Sequence, residues 1–187
     1  MIKIFVDQGH NPQNPNAGAE ANGVREQDVT YEVGVRLAEL LRANPNFEVR
    51  LSRNTPTEQL GTSNATSLAA RVNAANGWPA DYFISLHCNA STNTTASGSE
   101  VYVYSETSPA FPLGEAILVG LQNATGLRNR GMRINQGLYV LRRTTMPALL
   151  VEMGYLTNPE DARLLSTDPQ SFARGTYNGM LSYFQLS

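Results

Sequence analysis

The chain carries only two histidines, and each closes a strand-like apolar run. His10 ends Ile2-Lys-Ile-Phe-Val-Asp7-Gln-Gly-His10, and His87 ends Tyr82-Phe-Ile-Ser-Leu-His87. A third apolar run, Pro147-Ala-Leu-Leu-Val-Glu152, ends on a carboxylate. If the three runs are parallel neighbours, their last side chains emerge at one carboxyl edge, where open α/β sheets place ligand sites. Two imidazoles and a carboxylate on one rim suit a divalent metal, and zinc-dependent hydrolysis is the chemistry they would support.

A catalytic zinc takes three protein ligands and keeps one position for water. His10 and His87 supply two. Glu26, in Gly23-Val-Arg-Glu26, is the best candidate for the third. It falls at the expected start of a helix, where a carboxylate also suits the dipole. The preceding loop, residues 11–24, is long enough to fold that helix start back over His10. Asp7 is a rival ligand, or a partner that orients an imidazole from behind. Asp28 is a second rival, but two residues from Glu26 on a helix it faces elsewhere. Glu152 then fits a general base that takes a proton from the metal-activated water and hands it to a leaving amine.

Each residue has a plainer alternative. A strand-end histidine can be an ordinary hydrogen-bonded residue, a helix-start glutamate a dipole partner, and Glu152 an ion-pair partner of Arg142 or Arg143. Cys88 suggests a thiol hydrolase instead. Adjacent strand residues point to opposite faces, so Cys88 and His87 should diverge, and a small buried hydrophobe is the expected role of this thiol.

The elements that must position these residues read as follows. Residues 11–24 are rich in turn formers and form a loop. Val29, Val33, Val35, Leu37, Leu40 and Leu41 give an imperfect helical stripe, stopped by Asn44-Pro45. Residues 47–52 alternate like a strand. Leu68–Asn76 is a short helix capped by Thr66 or Ser67. Strands follow at 82–87 and 100–104, with a loose polar loop at 89–97 between them. Residues 112–124 are helical and end at Gly126. Strands at 138–142 and 148–152 are separated by a short turn. The tail holds helices near 159–165 and at 171–184, the second with Phe172, Tyr177, Met180, Leu181 and Phe184 on a core face. About six strands and five helices, mostly alternating, predict a single α/β domain spanning 1–187. Its central sheet is expected to be mixed and mostly parallel, because the close pair 138–142 and 148–152 could be antiparallel.

Composition narrows the function classes. The 187 residues are 41% hydrophobic, enough for one sizeable core. Charged residues are only 16% and the net charge is −2, with no basic block. Nucleic-acid binding therefore has no electrostatic footprint. No segment approaches the roughly 20 apolar residues of a membrane span. The N-terminal apolar run, interrupted by Lys3 and followed by Asp7, does not read as a signal peptide. One cysteine excludes an intrachain disulfide.

The same residues resemble the signature of the zinc-dependent N-acetylmuramoyl-L-alanine amidases of the type 3 family, which are bacterial and phage peptidoglycan hydrolases. Ile4-Phe-Val-Asp7-Gln-Gly-His10 resembles the family's strand-Asp-x-Gly-His motif, and Gly23-Val-Arg-Glu26 its Gly-x-x-Glu element. Arg71-Val-Asn-Ala-Ala-Asn76 and Ser85-Leu-His87-Cys-Asn-Ala90 resemble its central stretch. Arg130-Gly, Leu138–Arg142 and Pro147–Asn158 resemble its closing block. The likeness runs in order along almost the whole chain. Departures are Gln8 where Pro is frequent, Asn11 where a Gly-Gly pair often follows the histidine, and Cys88 where a small residue is usual.

The resemblance implies one zinc ion held by His10, Glu26 and His87, with Glu152 as the catalytic carboxylate, and so favours Glu26 over Asp7. It implies a twisted sheet of about six strands flanked by helices. It also implies hydrolysis of the amide joining the lactyl group of N-acetylmuramic acid to L-alanine in peptidoglycan. Action at the cell wall follows, with a wall-binding domain separate or missing. Asn89 is expected to orient the strand end or touch substrate. Arg130, Arg142 and Arg143 are candidates for muropeptide carboxylates, against the plainer role of solvated arginines, and Trp78 is expected in loop packing. The rivals are a zinc peptidase on the stem peptides and a non-catalytic wall-binding module of the same fold. A phage endolysin, a sporulation enzyme and an excised autolysin domain all fit.

Overall fold

The computed structural model describes residues 1–186. In chain order the elements are β1 (Ile2–Gln8), β2 (Glu20–Ala21), β3 (Val24–Arg25), α1 (Glu26–Ala43), β4 (Phe47–Leu51), α2 (Asn64–Gly77) and β5 (Tyr82–Asn89). They continue with β6 (Ser99–Val103), α3 (Ala110–Thr125), β7 (Asn129–Ile134), α4 (Tyr139–Arg143), β8 (Ala148–Tyr155), α5 (Pro159–Thr167) and α6 (Pro169–Phe184).

Six strands form one sheet in the order β4-β1-β5-β8-β6-β7. The first four are parallel, β6 runs antiparallel to β8, and β7 runs parallel to β6. This is the mixed α/β sheet flanked by helices that the alternating pattern predicts. The central strands β5 and β8 are almost continuously buried, because helices cover both faces of a parallel sheet. One core lies under α1, α3 and α6; a smaller one lies under α2 and α4. On α1 the buried residues include Val29, Val33, Leu37 and Leu41, one apolar face at four-residue spacing. Each such fully buried side chain contributes about 1.5–3 kcal/mol. On α6, Phe172 and Met180 are fully buried, and Tyr177, Leu181 and Phe184 pack partly buried against the same core.

The structure corrects four local expectations. Residues 138–142 are not a strand: Tyr139–Arg143 is the short helix α4. The Leu138 carbonyl accepts from the amides of Leu141 and Arg142. The adjacent residues Val140 and Leu141 are both buried in the smaller core, whereas neighbours on a strand would face opposite sides. The sixth strand is instead β7, which sits at the sheet edge. The cap of α2 is Ser63, not Thr66 or Ser67; its hydroxyl accepts from the Thr66 amide while Thr66 reaches back, a capping box. Finally, β5 and β8 run on past His87 and Glu152, to Asn89 and Tyr155. Among the described residues no helix is long and apolar enough to cross a membrane.

Candidate metal centre

The rim of β1 is held by Arg71, which reaches up from α2. Its guanidinium donates to Asp7 Oδ1 at 2.7 Å and to the carbonyls of Gln8 and His10. The Ser85 hydroxyl donates to Asp7 Oδ2 at 2.7 Å. Both side chains of the Arg71–Asp7 pair are 1% exposed. Burial pushes the Asp7 carboxyl up, but the charge of Arg71 and the bonds from Ser85 and Arg71 outweigh it and hold it below its ordinary value. Asp7 is thus committed to Arg71 and Ser85. It is neither the rival ligand nor the partner of an imidazole. With its carbonyl gripped, His10 adopts a left-handed backbone, φ 68°. The preceding glycine is required by space: a Cβ on Gly9 would lie 2.5 Å from the Leu86 carbonyl and 2.5 Å from His87 Cε1. The two histidine rings meet edge to face at 4.9 Å.

Glu26 arrives by way of a two-residue hairpin. Asn22 and Gly23 both have positive φ, 52° and 73°, which joins β2 to β3 through a primed turn. Asn22 Nδ2 anchors it to the Leu156 carbonyl at 2.7 Å. The turn delivers Glu26 as the first residue of α1, its amide bonded to the Ala19 carbonyl at 2.9 Å and its Oε2 to the Ala19 amide at 3.0 Å. The loop does fold back over His10. Its Asn-Gly pair is a hairpin signal that the broader description as loop passes over. Asp28 faces away, exposed and paired with Arg25.

His10, Glu26 and His87 offer ligand atoms that all lie within 4.8 Å of one another. Glu26 Oε1 is 3.1 Å from His10 Nε2 and 3.1 Å from His87 Nδ1. Ligands about 2.0–2.1 Å from a tetrahedral zinc lie roughly 3.3 Å apart, so the two distances from Glu26 fit such an ion, with the histidine pair within 4.8 Å. The donor set, two imidazole nitrogens and one carboxylate oxygen, is also of the kind zinc takes. Burial raises the Glu26 carboxyl, but hydrogen bonds from both histidines, and their charges, win and hold it far below its ordinary value. The Cys88 amide donates to the same oxygen at 2.9 Å. The Cys88 thiol is buried and pushed well above its ordinary value by burial, then by Glu26 and Glu152. A thiolate nucleophile is disfavoured there, and Cys88 packs in the core.

Glu152 stands beside His87 in the β5–β8 register. Its Oε2 is buried with no partner among the described residues, so no pairing with Arg142 or Arg143 forms. Burial first, then the carboxylates of Glu26 and Glu100, push it up to about 8. A raised carboxyl next to three potential ligands is a marker of an acid–base group. Between the rim and α4 lies a cavity of about 110 Å³, lined by residues including His10, His87, Leu138, Tyr139 and Leu150.

The remaining sequence candidates divide. Asn89 donates to Glu100 Oε1 at 2.8 Å and accepts from the Ala90 amide, so it braces the strand end. Arg130 lies 3.3 Å from Glu100 Oε2. Arg142 and Arg143 are exposed. Arg142 lines a groove with Ala148, the first residue of β8, at the sheet edge away from His87. Trp78 is buried, with Lys3 and Arg50 over its ring, in the packing role expected of it. Glu100 and Arg133, which sequence inspection passed over, join Arg130 next to Glu152. Glu100 falls in the expected strand at 100–104, but the polar run Asn129–Ile134 gives Arg133 no strand signal.

Residues 4–182 match the sequence profile of the N-acetylmuramoyl-L-alanine amidase family. N-acetylmuramoyl-L-alanine amidase CwlM of Bacillus licheniformis is 39% identical over 100% of this chain and 70% of that protein. The sporulation-specific N-acetylmuramoyl-L-alanine amidase of Bacillus subtilis (strain 168) is 35% identical over 100% of this chain and 69% of that protein. The catalytic domain of CwlV, an N-acetylmuramoyl-L-alanine amidase from Bacillus (Paenibacillus) polymyxa var. colistinus, superposes with a TM-score of 0.86 at 29% identity, covering 100% of both chains. With a family match along most of its length and this fold, the chain belongs to the N-acetylmuramoyl-L-alanine amidases and is a hydrolytic enzyme.

Proposed function

We propose that the chain is one catalytic domain that hydrolyses the amide between the lactyl group of N-acetylmuramic acid and L-alanine in peptidoglycan. In this reading one zinc ion is held by His10, Glu26 and His87, and Glu152 is the acid–base carboxylate. The observation that carries it is the convergence of the three donors on one point, 3.1 Å apart at Glu26 Oε1, with an unpartnered carboxyl beside them. The names of the relatives support the substrate. When bound, the ion would supply Lewis acidity, bringing a water ligand to a pKa of about 7 and polarising the scissile carbonyl.

The protein's own groups do the rest. Glu152 takes the proton from the attacking water and returns it to the leaving L-alanine amine, a contribution of typically 10²–10⁴-fold. Arg71 and Gly9 fix the His10 end of the rim, and the hairpin fixes Glu26. Asn89 braces the end of β5, and Arg130 lies on the substrate side. Arg142, beside the first residue of β8, and Arg143 are read as exposed, solvated arginines. The activity belongs at the cell wall, where a wall-binding domain, separate or attached, would raise the local concentration.

Purified protein should contain about one zinc per chain, and a chelator should abolish turbidity loss of purified walls. Glu152→Gln should keep the metal and lose lysis at least 100-fold; His87→Ala should lose both. Free lactyl ends among the products mark the amidase, and released D-amino acids would mark a peptidase. Undiminished lysis by Glu152→Gln, or a fully metallated His87→Ala protein, would overturn the assignment.

A further inference from the structure

Beside Glu152 the sheet carries a charged cluster that the hydrolytic step does not use. Glu100 stands opposite Glu152 across the antiparallel β6–β8 pair and is 4% exposed. Its Oε1 accepts from Asn89 at 2.8 Å and from the Tyr102 hydroxyl at 3.1 Å. Its Oε2 lies 3.3 Å from Arg130 Nε and 3.4 Å from Arg133 Nε. The two arginines are three residues apart on β7, so a regular strand would send them to opposite faces. The register slips between them: Ser99 pairs with Asn129 and Val101 with Met132, so Arg130 and Gly131 together oppose Glu100. Gly131 takes φ 84°, the conformation such a bulge needs. The bulge brings both guanidiniums onto Glu100.

One carboxylate cannot neutralise two guanidiniums, so the cluster keeps a net positive charge. Arg130 is further fixed, 5.2 Å over the Tyr155 ring and 3.3 Å from the Ser97 carbonyl. The Arg133 side chain is 46% exposed, and its Nη groups donate to nothing among the described residues. Strands lie about 4.8 Å apart, which puts the guanidiniums roughly 5–10 Å from Glu152. A peptide advances about 3.3–3.6 Å per residue. The span therefore matches a group one or two residues beyond the scissile bond. The cavity against Leu138 and Tyr139, which His10 and His87 also line, offers no exposed guanidinium, its Arg71 being buried.

We propose that Arg130, Glu100 and Arg133 form a carboxylate-binding subsite for the stem peptide, seating the carboxylate carried one or two residues past the scissile amide. The substrate then has a fixed direction: peptide over β6 and β7, sugar towards β1 and α4. Glu100 and Asn89 act as positioning residues, and Arg133 supplies the free fork. This assignment rests on the amidase reading above.

The test is the ratio of kcat/KM on two pairs of soluble muropeptides. One pair differs in a free carboxylate against a carboxamide at the second stem residue. The other differs in the presence or absence of a side-chain carboxylate at the third. The wild type should favour the carboxylate member of one pair by about ten-fold, the effect of one charged hydrogen bond; that pair identifies the group bound. Arg133→Gln should bring the ratio close to one, Arg133→Lys should keep part of it, and Arg133→Glu should invert it. A wild-type ratio near one on both pairs, or an Arg133→Gln loss equal on both members, overturns the subsite. A wild type that frees no lactyl ends from any of the four overturns the amidase reading itself, and the subsite with it.

Discussion

Replacing Arg71 with methionine isolates the device that holds His10. The change keeps most of the side chain's apolar length and removes every donor. It leaves Asp7 buried with only the Ser85 hydroxyl, and it strips the donor from the carbonyls of Gln8 and His10. Breaking a buried pair from one side costs about 3–5 kcal/mol. Each abandoned carbonyl adds about 1–3 kcal/mol in isolation, but contacts in one network do not add. Arg71 also repels the buried Arg53, and relief of that repulsion takes some of the cost back. A loss of about 4 kcal/mol at pH 7 is expected, or a melting temperature lower by about 8–16 °C for a chain this long.

The pH dependence has a definite sign. In the wild type the Asp7 carboxyl sits below 3.8, so its contribution is present above that pH and is lost as acid protonates it. In Arg71→Met, burial acts without the arginine, and the carboxyl moves above 3.8. The variant is then penalised only while that carboxyl is ionised. Both effects vanish on the acid side, so the gap between the two proteins narrows as pH falls towards and through 3.8. Urea unfolding at pH 7 and at pH 4 measures the gap, and zinc content at pH 7 reports the release of His10. A loss under about 1 kcal/mol at pH 7, or a gap that widens towards acid, would refute the reasoning. Asp7→Leu combined with Arg71→Met should recover part of the loss, because the uncompensated charge is gone.

Gly9→Ala places a Cβ 2.5 Å from the Leu86 carbonyl and from His87 Cε1; it should lower stability by about 1–3 kcal/mol and reduce zinc content, and full occupancy at wild-type melting temperature would contradict the packing. For Glu152 the fold favours the neutral form, with the carboxyl raised from 4.5 to about 8. The metal-free wild type should therefore lose stability relative to Glu152→Gln as pH rises from 4.5 to about 8, with no further divergence above. Thermal unfolding in chelator across that range checks it, and parallel curves would exclude it. Added zinc should shrink the difference, since a nearby cation favours the ionised carboxyl.

The residues of the candidate centre were legible because strand geometry makes them so. An apolar run that ends in His or Glu announces both its burial and its rim, and three such runs converge once the strands are parallel. Glu26 was legible by chain reach, since a loop of that length can return to His10; the Asn22-Gly23 turn that makes the return specific is a shorter-range signal. Leu138–Arg142 misleads because its alternation and its Val suit a strand, while the packing of two consecutive buried residues against α2 and β8 selects a helix. Strand β7 is silent for the opposite reason. Asn129-Arg-Gly-Met-Arg-Ile lies at an edge, half exposed, so no apolar alternation is needed, and its glycine bulge breaks the period. Arg133 and Glu100 escape notice with it, since their proximity depends on that bulge.

The reversal of β6 and β7 means that the working rim has two kinds of foundation. On one half the chain leaves the sheet, after β1, β5 and β8; on the other it enters, before β6 and β7. The connections leading in, residues 90–98 and 126–128, therefore lie at the rim on the β6–β7 side and carry none of His10, Glu26, His87 and Glu152. Outside Ser97 and Gly98, which are tied to Asp161, they can lengthen, shorten or change charge while His10, His87 and Glu152 stay anchored to β1, β5 and β8 and Glu26 to α1. Diversification of what is cut is thereby uncoupled from the means of cutting it.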